Sequence, residues 1–160
     1  MTVIEELLAA SRAATPPGVR RARPTRRLAV VTCMDARVDP RTVFGLALGE
    51  AHVLRNAGGR VTDDVLRSLA LSGSILGVDT VVLMQHTQCG LEGASDVDLR
   101  GRTGADIEFL PIDDHAASLR HDVDLLVRTP YLSWLQAIAG LLYDVETGAV
   151  EDVVRWTRET

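Results

Sequence analysis

Two short stretches concentrate the residues able to do chemistry. Cys33-Met34-Asp35-Ala36-Arg37 follows one apolar, β-branched run, and His86-Thr87-Gln88-Cys89-Gly90 follows another. Thiolate sulfur and imidazole nitrogen are zinc ligands, and zinc prefers four ligands in a tetrahedron. Structural zinc sites take all four from the protein, whereas catalytic ones take three and leave the fourth position to water. The chain has only two cysteines, and His52, His115 and His121 lie outside both stretches without matching spacing. A site made of Cys33, His86 and Cys89 therefore leaves its fourth position to water or to Asp35. Arg37, two residues on, is placed to hold Asp35 in a bidentate fork beside the metal. Each stretch alone has a plainer reading. A strand-end cysteine is often a small buried hydrophobe, and an exposed Asp–Arg pair is worth ~0–1 kcal/mol. Both stretches together, at matching strand ends, favour the metal site. A redox pair of Cys33 and Cys89 lacks the Cys-x-x-Cys spacing of thioredoxin-like sites.

The elements that must bring these residues together follow from hydropathy and turn chemistry. Residues Thr2 to Ala14 read as a short helix with Val3, Ile4, Leu7 and Leu8 on one face. The following TPPGVRRARPTRR, with three prolines and five arginines, reads as an arm or linker. Its arginines can pair with acidic surface on this or another subunit, or stay solvated. Leu28 to Thr32, His52 to Arg55, Thr80 to Gln85 and Ile138 to Val145 read as strands. Val150 to Trp156 is a short last strand or helix. Helices are expected at Pro40 to Leu48, ending at Gly49; from Thr62 or Asp63 to about Leu76; and at Asp114 to Arg128. The second should turn Val65, Leu66, Leu69 and Leu76 inward, and the third Leu119, Val123, Leu126 and Val127. Glu92 to Pro111 is polar and Gly-rich with weak periodicity, and reads as an irregular excursion.

Strands alternating with helices imply an α/β fold with a mostly parallel sheet flanked by helices. Ligands in such sheets bind beyond the carboxyl ends of strands, where the strand order reverses. An order of 2-1-3-4 puts Cys33 beside His86 and Cys89. The 160 residues favour a single globular core. A net charge of −5 argues against a general nucleic-acid binder. No apolar run approaches the ~20 residues of a membrane span. The acidic amphipathic start is unlike a secretory signal. A cytoplasmic location with reduced thiols is the expectation.

CMDAR and HTQCG, with HVLRNAGG between them, resemble the β-class carbonic anhydrases, and the length resembles their compact bacterial subgroup. The resemblance runs from about Leu28 to Gly90 and resumes at AGLLYDVETGAVEDV. Gln88 departs from it, standing where an acidic or small residue is expected, and the excursion after Leu91 matches poorly. The resemblance implies one Zn²⁺ per chain on Cys33, His86 and Cys89, with the fourth position of the resting state open to either water or Asp35. It also implies an Asp35–Arg37 catalytic dyad and reversible hydration of CO₂ to bicarbonate and a proton by a zinc hydroxide nucleophile. It implies a homodimer or higher assembly, in which residues 1–27 lie across the partner and residues 28–160 form the catalytic domain. Ala57-Gly58-Gly59 would let backbone approach the site. Backbone N–H groups around Gly90 are candidate donors to a developing bicarbonate oxygen. Two thiolates cancel the metal's formal charge, so activity is expected to favour alkaline pH. The rival readings are a carbonyl sulfide or carbon disulfide hydrolase on the same scaffold, and a non-catalytic zinc- or bicarbonate-sensing protein.

Overall fold

A computed structural model describes residues 2–16, 18 and 21–159. Part of the arginine arm (Pro17, Val19 and Arg20) lies outside the described residues, as do Met1 and Thr160.

Five strands form one sheet: β1 (Leu28–Cys33), β2 (Ala51–Asn56), β3 (Thr80–His86), β4 (Ala137–Tyr143) and β5 (Val150–Thr157). Their order is β2-β1-β3-β4-β5. The first four are parallel neighbours, as the alternation of strands and helices implies, and β5 returns antiparallel to β4. The last segment is thus a strand rather than a helix. β4 stops at Tyr143, two residues earlier than hydropathy suggests. Asp144 starts the turn there, its side chain accepting the backbone N–H groups of Glu146 and Thr147.

β1 lies between β2 and β3, with Leu28 to Thr32 in register with Thr80 to Met84. Chain direction across the sheet therefore reverses at β1, and the crevice opens beyond the carboxyl ends of β1 and β3. β1 is buried on both faces, which explains its unbroken apolar run.

Helix α3 (Asp63–Ser74) is capped by Thr62, whose hydroxyl accepts from the Val65 N–H. It packs Val65, Leu66 and Leu69 into the core with Ala29, Val31, Val81 and Leu83. Leu76 falls beyond its last turn. Helix α5 (His115–Arg128) is capped by Asp114 and adds Leu119, Val123 and Leu126 to the same core. Val127, expected inward, faces solvent, because it lies one residue off that stripe.

Helix α2 (Pro40–Phe44) is shorter than expected. Gly45, at φ 61°, takes the left-handed conformation and ends it, four residues before Gly49. The excursion after Leu91 is not wholly irregular. It contains α4 (Asp96–Thr103), capped by Ser95 and stopped by Gly104 at φ 71°. α4 buries no residue completely, so it lacks the apolar stripe by which a helix is recognised.

Helix α1 (Val3–Ala13) has a complete capping box between Thr2 and Glu5. It buries none of its residues: Val3, Ile4, Leu7 and Leu8 are 50–70% exposed. The end of the arm is pinned to the sheet's loops, through Arg26–Glu50 at 3.2 Å and Arg27–Asp79 at 2.7 Å. Among the described residues no helix is long and apolar enough to cross a membrane.

Candidate active site

Cys33 ends β1, His86 ends β3, and Cys89 follows in the loop after β3. The fold brings the three together. One ligand atom from each lies within 4.8 Å of the others, and all three residues are buried. They are the one such His/Cys/Asp/Glu group among the described residues. The two sulfurs are 4.0 Å apart. Zn–S bonds of about 2.3 Å in a tetrahedron put sulfurs about 3.8 Å apart, so the pair is spaced for one ion. The Nδ1–H of His86 donates to the Thr87 carbonyl at 2.9 Å. That bond fixes the tautomer and turns the Nε2 lone pair toward the sulfurs. Nε2 is buried without a hydrogen-bond partner. A buried acceptor is costly to leave unmet, and a divalent ion at this point meets it. The residues present therefore fit zinc.

The electrostatics agree. Cys33 has its pKa lowered to about 4, chiefly by the hydrogen bond from the Cys89 thiol, and further by His86 and the backbone N–H groups of Asp35 and Gly58. Cys89 is pushed up, first because it supplies that hydrogen bond and then by burial. One proton is in effect shared between two sulfurs. For His86, burial opposes protonation, but the Cys33 thiolate, the Thr87 carbonyl and the Asp35 charge outweigh it and raise the pKa. A cluster so short of positive charge attracts a cation.

Asp35 lies just beyond, with Oδ2 3.8 Å from His86 Nε2. Arg37 donates to it from Nε (3.0 Å), from Nη2 (2.8 Å) and from its own backbone N–H (2.9 Å). Those bonds hold the Asp35 carboxyl well below the usual carboxylate range. Arg37 is braced in turn by Gln88, whose backbone carbonyl accepts at 2.9 Å and whose Oε1 accepts at 3.3 Å. The Gln88 amide donates to Glu146 in the β4–β5 turn at 2.6 Å. The residue at which the sequence departs from the expected pattern is therefore a brace for Arg37.

One further contributor, Arg55, had no assigned role in the sequence reading, and the Gly58-Gly59 turn makes the close approach expected of it. Arg55 on β2 donates to the carbonyls of Cys33 (3.0 Å) and Asp35 (2.7 Å), fixing the loop that carries both. An arginine directly after the apolar Val53 and Leu54 of β2 was the available signal. Gly59 lies so close to β1 and β3 that a Cβ would sit 2.9 Å from the Thr32 carbonyl carbon and 3.0 Å from the Met84 oxygen. Gly58, at φ 74°, likewise makes room for Leu91.

A cavity of about 340 Å³ opens beside the cluster. Cys33, Asp35, Cys89 and Gly90 line its floor, and Met34, Ala57, Leu91, Leu99 and Phe109 its sides. A larger groove, about 630 Å³, lies away from this cluster along β2, α2 and α3.

Comparison with known proteins is consistent with this geometry. The carbonic anhydrase family profile matches residues 28–108. The chain is 37% identical over 136 residues to β-carbonic anhydrase 1 of Mycobacterium tuberculosis, covering 81% of this chain and 83% of that one. It is 30% identical over 149 residues to a carbon disulfide hydrolase of Acidithiobacillus thiooxidans, covering 77% and 75%. The crystal structure of a carbonic anhydrase from Streptococcus mutans superposes with a TM-score of 0.84 at 38% identity, covering 96% of this chain and 99% of that one. With the sheet order, the Cys-His-Cys cluster and these relatives in agreement, the chain belongs to the β-class carbonic anhydrase family.

Proposed function

We propose that the protein catalyses the reversible hydration of CO₂ to bicarbonate and a proton, with one Zn²⁺ on Cys33, His86 and Cys89. The observation that carries this reading is the Asp35 carboxylate, gripped by Arg37, at the floor of an apolar cavity beside three convergent soft donors. A purely structural metal site has no use for either residue. Zinc, when bound, supplies an activated water as nucleophile near neutral pH.

The chain's own residues do the rest. The apolar sides of the cavity give a small neutral molecule a place out of water. Asp35, kept ionised by Arg37, accepts a hydrogen bond from the attacking water and orients it, and is placed to receive its proton. Arg37 also keeps Asp35 from swinging onto the metal as its fourth ligand. Gly90 lines the floor, where its backbone N–H can steady the developing bicarbonate oxygen. His86 holds its own ring proton at Nδ1 throughout, against Thr87.

The reading extends to assembly and location. Residues 28–160 hold the catalytic residues, and residues 1–27 pack on a partner subunit in a homodimer. The unburied apolar face of α1 supports this. The buried pair of free thiols suits the reducing cytoplasm.

Metal analysis coupled to stopped-flow CO₂ hydration tests the proposal. About one zinc per chain and rapid hydration are expected for the wild type. Asp35→Asn should keep its zinc and lose about 10²-fold in kcat/KM, the usual scale of a lost general base. Zinc-loaded wild type without hydration activity would sink the reading.

A further inference from the structure

The loop after β3 is fastened to the turn between β4 and β5. The Thr87 N–H donates to the Tyr143 carbonyl at 3.0 Å, and the Val145 N–H donates to the Thr87 hydroxyl at 3.2 Å. Those bonds suffice to dock the loop. The Gln88 side-chain amide adds a further link, donating to Glu146 Oε1 at 2.6 Å between two exposed side chains. Glu146 is itself held: its N–H donates to Asp144 Oδ1 at 2.8 Å, and the Gly148 N–H closes the turn on the Asp144 carbonyl at 2.9 Å.

Gln88 stands between a group that can only accept and one that can only donate. The Glu146 carboxylate takes the amide N–H, so the amide oxygen faces Arg37, whose Nη1 donates to it at 3.3 Å. The Gln88 backbone carbonyl accepts from Arg37 Nη2 at 2.9 Å. Gln88 also has φ 56°, in the left-handed region. A residue with a Cβ stays there only where its surroundings over-determine it, and such residues gather at functional sites.

We propose that Gln88 and Glu146 are positioning residues for the hydration of CO₂, through which the β4–β5 turn holds the Arg37 fork and with it the Asp35 carboxylate. The inference rests on the CO₂ hydration reading above. Nε and Nη2 of the guanidinium meet Asp35 along one edge, and Nη1 and Nη2 meet Gln88 along the next. A planar fork pinned on one edge pivots together with its carboxylate; pinned on two, it does not. The Arg37 side chain is half exposed, so solvent screens the charge of Glu146. Glu146 therefore acts as a fixed acceptor for the amide, and its negative charge is incidental.

The experiment measures kcat and KM for CO₂ on zinc-loaded wild type, Gln88→Ala, Glu146→Ala, the double variant and Glu146→Gln. kcat/KM should fall about tenfold in Gln88→Ala and about fivefold in Glu146→Ala, the scale of a slightly misplaced group near the chemistry, with the loss in kcat and KM little changed. The double variant should be no slower than Gln88→Ala, because the two residues act as one chain. Glu146→Gln keeps an acceptor oxygen and should restore at least about half of the wild-type value. A readout besides activity is the Arg37 Nε–H resonance, assigned by its loss in Arg37→Ala. Its exchange with solvent should quicken in both alanine variants and not in Glu146→Gln, while zinc content and Tm hold. If alanine at left-handed backbone unsettles the loop, Gln88→Asn tolerates that backbone and is one methylene short of Glu146. Wild type that hydrates CO₂ no faster than both alanine variants overturns the inference alone. So do losses that add in the double variant, Glu146→Gln as slow as Glu146→Ala, or slowing that follows a lower Tm with Nε–H exchange unmoved. Wild type that does not hydrate CO₂ overturns this inference and the reading beneath it.

Discussion

Arg37 grips Asp35 through three N–H donors while the same carboxylate lies 3.8 Å from the imidazole nitrogen facing the metal cluster. The carboxylate is thus within a side-chain rotation of becoming a ligand, and a guanidinium holds it back. The grip is itself braced by Gln88. Removing the guanidinium frees Asp35 to take the fourth position. Arg37→Ala is expected to keep near-normal zinc content and to lose about 10²-fold in kcat/KM, the cost of a misplaced group near the chemistry. X-ray absorption on the zinc-loaded variant should show a carboxylate oxygen in place of water. Full activity in this variant would remove Arg37 from the mechanism.

Metal uptake should depend on pH in a way set by the three ligands. Cys33, its pKa lowered by the hydrogen bond from the Cys89 thiol, gives up its proton more readily than the other two ligands and adds least to the dependence. Cys89 and His86 have raised pKa values in the metal-free protein, so both hold protons that zinc must displace. Affinity therefore rises with pH. The slope is steeper below the His86 pKa than above it, where His86 no longer has a proton to release. Calorimetry in buffers of different ionisation enthalpy counts these protons directly. A pH-independent affinity between pH 6 and 8 would contradict the ligand assignment.

The sheet was legible because its strands are short, β-branched and bounded by turns, and because β1 and β3 carry ligands at their ends. Those features are local, and local signals survive in a single sequence. The same holds for the starts of α3 and α5, where Thr62, one of two candidate caps, and Asp114 cap the helices. What stayed hidden depends on distant partners. α4 has little apolar face, so hydropathy passed over it, yet it carries Leu99 into the cavity. Arg55 and Gln88 act through bonds to backbone and side chains that only folding brings near. Helix α2 is shorter than expected because Gly45, and not only Gly49, takes a left-handed conformation, and the helix ends at the first of them.

A buried ion pair ties the segments around the site together. Arg60 and Asp122 form a bidentate pair at 2.8 and 3.0 Å, with side chains only 7% and 2% exposed. Asp122 also accepts the Val61 N–H at 3.1 Å, and Arg60 donates to the Leu110 carbonyl at 2.7 Å. The pair thus ties the Gly58-Gly59 turn, the end of the 92–111 segment and α5 together. Asp122→Ala leaves a buried guanidinium without its counter-charge, which costs about 3–5 kcal/mol. Urea denaturation should show that loss as a lower midpoint. A change below 1 kcal/mol would mean that Arg60 finds solvent or another acceptor.

The apolar face of α1 sets the last prediction. Val3, Ile4, Leu7 and Leu8 pack on nothing within their own subunit, although the helix is fully capped. An 11-residue helix is marginal in water without a packed face. Meanwhile β2 is an edge strand, and the large groove beside it presents Leu46, Leu48, Val53, Leu71 and Leu76. A helix in need of cover and a groove in need of an occupant, on one chain, suit a two-fold exchange between two copies. Ile4→Asp with Leu7→Asp puts two charges on the helix face without touching the metal ligands. Sedimentation should show wild type as a dimer or larger, and the double variant shifted to monomer at micromolar concentration with its zinc retained. An unchanged assembly would show that α1 is not what holds the copies together.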